Sequence, residues 1–195
     1  MNVQSEELIS KKEAILKSVL ELIRENGFHG VPMSQVARNA GVAAGTIYHY
    51  FPSKDAIISE LCGLIKAQMA QAMFNEEHAE LEYKERFFTG WIDLCRYFIN
   101  NPSALIFIDQ YNSSPYTKKH TCTRSSAFGE KFNEFFQTGM DSGFVKPMAY
   151  NLIASIVFGC IITTAKFHLS GRHDYSDVEM AKIANIIWDG IKAQD

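Results

Sequence analysis

The chain has 195 residues, 47% of them hydrophobic and 21% charged, the balance of an ordinary globular protein with apolar material for one sizeable core or two smaller ones. Lys and Arg number 19 against 22 Asp and Glu, a formal net charge of −3, which excludes a binder that holds nucleic acid through overall basic charge. No apolar run reaches the roughly 18 residues of a membrane span, since Ser155, Gly159, Thr163 and Thr164 interrupt the longest stretch, Leu152 to Ala165. The polar, acidic start is not expected to be a secretory signal, so the expected location is cytoplasmic.

Helical spacing runs through the whole sequence. Ile15, Val19 and Leu22, with Leu16, Leu20 and Ile23 beside them, recur at three and four residues, which predicts a helix over 8–26 that Gly27 stops. Pro32 opens a short second helix, with Val36, Ala37 and Ala40 on one face and Gly41 at its end. A third runs from Ala44 to Phe51. Pro52 breaks it, and Ser53 is placed to cap a long fourth helix beginning at Lys54, in which Ile57, Leu61, Leu64, Ile65 and Met69 keep the period.

Glu76 to Glu80 reads as a polar connection. Further helices are predicted over 83–100, 103–111, 126–141, 147–169 and, capped by Ser176, to about Ala193, with a loop over 112–121. The pattern predicts an all-α fold of about nine helices: a three-helix domain over 1–52 and a second helical domain over 53–195. Cys62, Cys95, Cys122 and Cys160 are widely spaced and read as ordinary apolar side chains rather than a disulfide framework. His168 and His173, off a regular helix and with no evident carboxylate partner, make no metal site. No nucleophile–base pattern or phosphate-binding glycine loop points to catalysis or a cofactor.

Two short helices joined by Gly41-Val42-Ala43 behind a longer one fit a helix-turn-helix, whose turn needs a residue without a Cβ. In the second short helix Ile47 and Phe51 point to the core, which leaves Thr46, Tyr48, His49 and Tyr50 for the outer faces. A DNA major groove accepts such side chains: hydroxyls and imidazole reach phosphates, and ring edges meet thymine methyls. Gly45 lets the start of this helix approach a backbone closely. The window from Pro32 to Lys54 carries Arg38 and Lys54 and no acid, a weakly positive patch in a weakly acidic chain.

The segment Gly41-Val42-Ala43-Ala44-Gly45-Thr46-Ile47-Tyr48-His49-Tyr50-Phe51-Pro52-Ser53-Lys54 resembles the TetR family of bacterial transcriptional regulators, over roughly Ile15 to Leu61. The resemblance implies that Thr46 and Tyr50 contact phosphates, that Tyr48 and His49 touch bases or sugars, and that Lys54 clamps a phosphate. It places Ser34 near the DNA at the start of the second helix and brings Gly45 to the groove. Ala43, Ala44 and Val31-Pro32 stand where family members often carry polar groups, so aromatic contacts and DNA shape are expected to carry more of the recognition.

Beyond Leu61 the resemblance rests on helix number and length. It implies a small-molecule cavity in the second domain, for which Phe87, Trp91, Phe107, Tyr111, Phe128 and Phe132 are the aromatic candidates. Asp109 beside them suits a cationic or flat aromatic effector. The last two helices, with Phe158, Ile162, Ile183, Ile187 and Trp188, are the candidate homodimer interface. Together these readings describe a homodimeric repressor on a palindromic double-stranded operator, released by an effector. The alternatives are a DNA-binding regulator without an effector and a helical small-molecule-binding protein without DNA binding.

Overall fold

The computed structural model describes residues 3–28, 30–114, 116 and 127–194, with the side chains of 3–9 left aside. Nine α-helices and a turn of 3₁₀ helix form among them: α1 (Val3–Asn26), α2 (Met33–Asn39), α3 (Ala44–Tyr50), α4 (Lys54–Met73), the 3₁₀ turn Glu76–His78, α5 (Tyr83–Asn100), α6 (Pro102–Asn112), α7 (Ala127–Asp141), α8 (Tyr150–Leu169) and α9 (Asp177–Ile191). The all-α expectation holds. The predicted loop over 112–121 falls largely outside the described residues, as does Cys122.

The chain divides into two compact units, Met1–Leu64 with Ile106–Cys122 and Ile65–Leu105 with Thr123–Asp195. Helices α4 and α6 each run from one unit into the other. In the first unit, Ile15, Val19, Leu22 and Ile23 of α1 are buried with Val36 of α2, Ile47 of α3 and Ile57 and Ile58 of α4. This is the apolar stripe that helical periodicity requires. The Ser18 hydroxyl, also buried, donates to the Val36 carbonyl at 3.2 Å and ties α1 to α2.

Two glycines end helices where a side chain would be strained. Gly27 has φ +71° and Gly41 φ +66°. The Gly27 N–H still donates to the Ile23 carbonyl at 2.8 Å, the left-handed stop that leaves the helix without a Cβ clash. Pro32 stands one position earlier than expected, outside α2 as its N-cap. Ser53 caps α4 as expected, its hydroxyl accepting from the Ala56 N–H at 3.2 Å.

In the second unit α5 packs against α8 and α9. Tyr83, Phe87, Trp91, Leu94 and Phe98 face inward from α5, and Phe128, Phe132, Phe135 and Phe136 from α7. Two glycines make close approaches possible: a Cβ on Gly90 would lie 2.1 Å from the Met73 carbonyl oxygen, and one on Gly139 would lie 2.1 Å from the Tyr83 hydroxyl. That hydroxyl is buried and donates to the Phe135 carbonyl at 3.0 Å. Cys62 and Cys95 are buried and Cys160 is half-buried, none of the three in a disulfide.

Several boundaries and readings differ from expectation. Helix α8 begins at Tyr150 rather than Pro147, because the segment before it runs antiparallel to the chain end. Lys146 N–H donates to the Ile191 carbonyl and Ala193 N–H to the Phe144 carbonyl, each at 3.0 Å. The same pairing ends α9 at Ile191. Glu76–His78 is helical because Asn75 caps it, accepting from the Glu77 N–H at 3.2 Å. His168 and His173 do have carboxylate partners: Asp174 lies 3.5 Å from His168, and Glu179 lies 2.8 Å from His173. Glu179 also bonds Ser176 in a capping box at the start of α9. Those bonds hold its carboxyl down at about 2.

Helix α8, over its 20 residues, is long and apolar enough to cross a bilayer by length and composition alone, a test that the core helix of a globular protein also passes; 28% of its most apolar window is buried. Leu152 and Phe167 of α8 and Val178 and Ile186 of α9 are exposed apolar side chains.

Candidate nucleic-acid interface

Helix α3 buries one residue, Ile47, and the Phe51 ring follows it into the core. The rest of α3 therefore turns outward. Tyr48 is 56% exposed, Gly45 and His49 are exposed, and Thr46 and Tyr50 are half-buried. The His49 and Tyr50 rings meet edge-on at 5.5 Å between centroids, so the two hold each other's orientation. Ser34, near the start of α2, is exposed as well.

Gly45 is informative by contrast with Gly90. A Cβ built on it would meet nothing in the protein within 4 Å. A helical glycine costs about 1 kcal/mol against alanine, and no packing inside the protein requires this one.

Lys54 is placed differently from the open clamp that the sequence implied. Its ammonium is half-buried and donates to the Phe28 main-chain carbonyl at 2.6 Å. Burial lowers its pKa, and the neighbouring Asp55 carboxylate partly opposes this. Sequence reasoning missed the bond because it joins residues 26 positions apart.

The pocket candidates fall into two groups. Phe107 and Tyr111 belong to the first unit, where their rings stack at 5.9 Å. Asp109, half-buried on the same helix, is already engaged within the protein. Phe87, Trp91, Phe128 and Phe132 are core residues of the second unit. A hollow of about 270 Å³ in that unit is lined by other residues, among them Phe74, Tyr83, Arg86, Lys131, Glu134 and Phe135. Here the ring of Phe135 stacks on Tyr83 at 4.5 Å, with the Arg86 guanidinium 5.6 Å from its centroid. The Trp91 indole N–H is fully buried and finds no acceptor among the described residues.

The dimer candidates also divide. Ile187 and Trp188 are each 5% exposed within the protomer, and the Trp188 ring lies 5.4 Å from that of Phe87. They are core residues, which corrects their assignment to a partner-facing surface. Phe158 is half-buried against the rings of Phe98 and Phe128, and Ile162 and Ile183 are half-buried. Ile186, in the apolar stripe that the sequence offers for dimerisation with Ile183, Ile187 and Ile191, is 72% exposed and points away from the core.

Two family descriptions match the chain, one after the other. Residues 15–61 match the family described as bacterial regulatory proteins, tetR family. Residues 82–192 match the tetracyclin repressor-like C-terminal domain. The chain belongs to the TetR family of transcriptional regulators.

This TetR-family chain is 35% identical over 69 residues to the HTH-type transcriptional regulator BetI of Escherichia coli, a match covering 35% of each chain. The chain thus spans about a third of the length of the curated relatives it matches. Its fold is shared with a TetR family transcription regulator from Marinobacter aquaeolei, at a TM-score of 0.87 and 20% identity over 99% of this chain and 100% of that one. It is also shared with FadR of Bacillus subtilis, solved in complex with stearoyl-CoA, at a TM-score of 0.72 and 21% identity over 91% of this chain and 95% of that one.

Proposed function

We propose that this TetR-family protein is a homodimeric repressor that grips a palindromic operator through α3 and releases it when a small molecule binds the second unit. The observation that carries the DNA reading is the outward face of α3: an exposed Tyr48 and His49 beside a glycine that the protein's own packing does not need. Ser34, Gly45, Thr46, Tyr48, His49 and Tyr50 form the contact surface. The working boundary lies at 52/53, with DNA binding before it and effector binding and dimerisation after it.

Selection of bound duplexes from a random pool tests this directly. The expected product is a two-fold symmetric site, its half-sites about one helical turn apart or a multiple of it. Gly45→Ala then separates function from folding. It raises protein stability by up to about 1 kcal/mol and weakens binding to the selected duplex about tenfold, ~1.4 kcal/mol, because the added methyl stands where the DNA must approach. A variant that is more stable and binds as well as wild type would remove Gly45 from the interface.

Effector response draws support from Trp91. An unmet buried donor costs roughly 1–3 kcal/mol, and a ligand acceptor reaching the second-unit core relieves it. The proposed effector has an aromatic or cationic body and an acceptor group. Helix α4 carries the response, since one continuous helix begins at the end of the DNA-binding region and runs into the second unit. Saturating effector is expected to lower operator affinity. An effector that binds, as read by tryptophan fluorescence, and leaves operator affinity unchanged would sink this switch.

A further inference from the structure

We propose that Lys54 is a positioning residue rather than a phosphate clamp: its ammonium straps the start of α4 to the chain just beyond α1 and so fixes the setting of α3. The inference rests on the DNA-binding reading above, and concerns how the recognition surface is held.

The geometry has three parts, all in the first unit. Lys54 Nζ lies 2.6 Å from the Phe28 carbonyl oxygen, a short charge-assisted bond. It sits two residues past the C-terminus of α1, the negative end of that helix, where a cation is favoured. The acceptor belongs to a residue that is itself 7% exposed, so removing the ammonium leaves a poorly hydrated carbonyl.

The acceptor is also held from the other side. The Phe28 ring packs on Phe107 at 5.4 Å and on Tyr116 at 5.6 Å. The Tyr116 hydroxyl bonds Asp55, the residue next to Lys54. Lys54, Phe28, Tyr116 and Asp55 therefore close a ring of contacts joining the end of α1, the start of α4 and the segment after α6. A lysine poised to reach DNA has a free, solvated head; this one is half-buried and commits one of its three N–H donors to the Phe28 carbonyl.

The two roles predict different responses to salt. Each phosphate neutralised by a lysine adds about 0.9 to the slope of log affinity against log salt. The full chain carrying Lys54→Met is compared with wild type on the duplex selected above and on an unrelated duplex, and its melting temperature is measured without DNA. The strap predicts about tenfold weaker binding to the selected duplex, an unchanged salt slope on both duplexes, and a melting temperature lower by about 4 °C. Lys54→Arg, which keeps a charged donor, recovers both affinity and melting temperature. A slope that falls by about one unit, or a melting temperature that does not move, overturns the proposal. If wild type binds no duplex from the pool, the repressor reading fails, while the melting temperatures still decide the strap.

Discussion

Gly90→Ala is expected to lower the melting temperature by roughly 2–8 °C, whereas Gly63→Ala leaves it unchanged or raises it. Both glycines lie inside helices, so both substitutions gain up to about 1 kcal/mol of helix propensity. The surroundings decide the sign. The Gly90 Cβ would stand 2.1 Å from the Met73 carbonyl oxygen and 3.1 Å from its carbon, more than about 1 Å inside ordinary contact. Those atoms are backbone at the end of α4, so no rotamer change moves them away. α5 must shift, and α5 is also the helix that α8 and α9 pack against. Overpacking of this kind costs ~1–3 kcal/mol and occasionally more, enough to outweigh the propensity gain. Gly63, exposed on α4, would meet nothing within 4 Å. Thermal unfolding of the two variants side by side checks the contrast, and a Gly90→Ala protein as stable as wild type would mean the α4–α5 approach is looser than described.

Helical structure was legible because it depends on local signals. The spacing of Ile15, Val19 and Leu22, the stops at Gly27 and Gly41 and the cap at Ser53 each act within a few residues, and each appears where the sequence put it. The outward face of α3 was legible for the same reason, since Ile47 and Phe51 fix which side is buried.

What was not legible depends on partners distant in sequence. Helix α9 is apolar at Ile183, Ile186, Ile187, Trp188 and Ile191, and periodicity alone does not say which of these meet the protomer's own core. Tyr83 and Phe87, about a hundred residues earlier, take Trp188 and leave Ile186 outside. The aromatic set failed similarly: Phe107 and Tyr111 have helical spacing like the others, yet they belong to the first unit. Gly90 and Gly139 went unnoticed, although a glycine inside a strong helical pattern asks for a packing reason. Lys54 announced a charge, and only the fold supplies the carbonyl that receives it.

Ile186→Asp is expected to turn a dimer into a monomer while the protomer stays folded, and Ile187→Asp is expected to unfold it. The two residues are adjacent, but Ile186 is 72% exposed and Ile187 5%. A carboxylate at Ile187 is buried without a partner, a cost of several kcal/mol. At Ile186 it reaches water unless a second chain covers it. In a two-fold interface the substitution appears twice and faces the same patch, so two charges are trapped together. α8 also exposes apolar side chains, with Leu152 at 53% exposure and Phe167 at 38%. The consequence extends to DNA. A dimer presents two copies of α3 to one palindrome, and losing the second removes an avidity gain of about a hundredfold or more. Sedimentation velocity reads the oligomeric state and titration of the selected duplex reads the affinity. The dimer reading requires both to fall together in Ile186→Asp while the helical signal is retained. If Ile186→Asp stays dimeric, the exposed faces of α8 and α9 are covered by something other than a second copy of this chain.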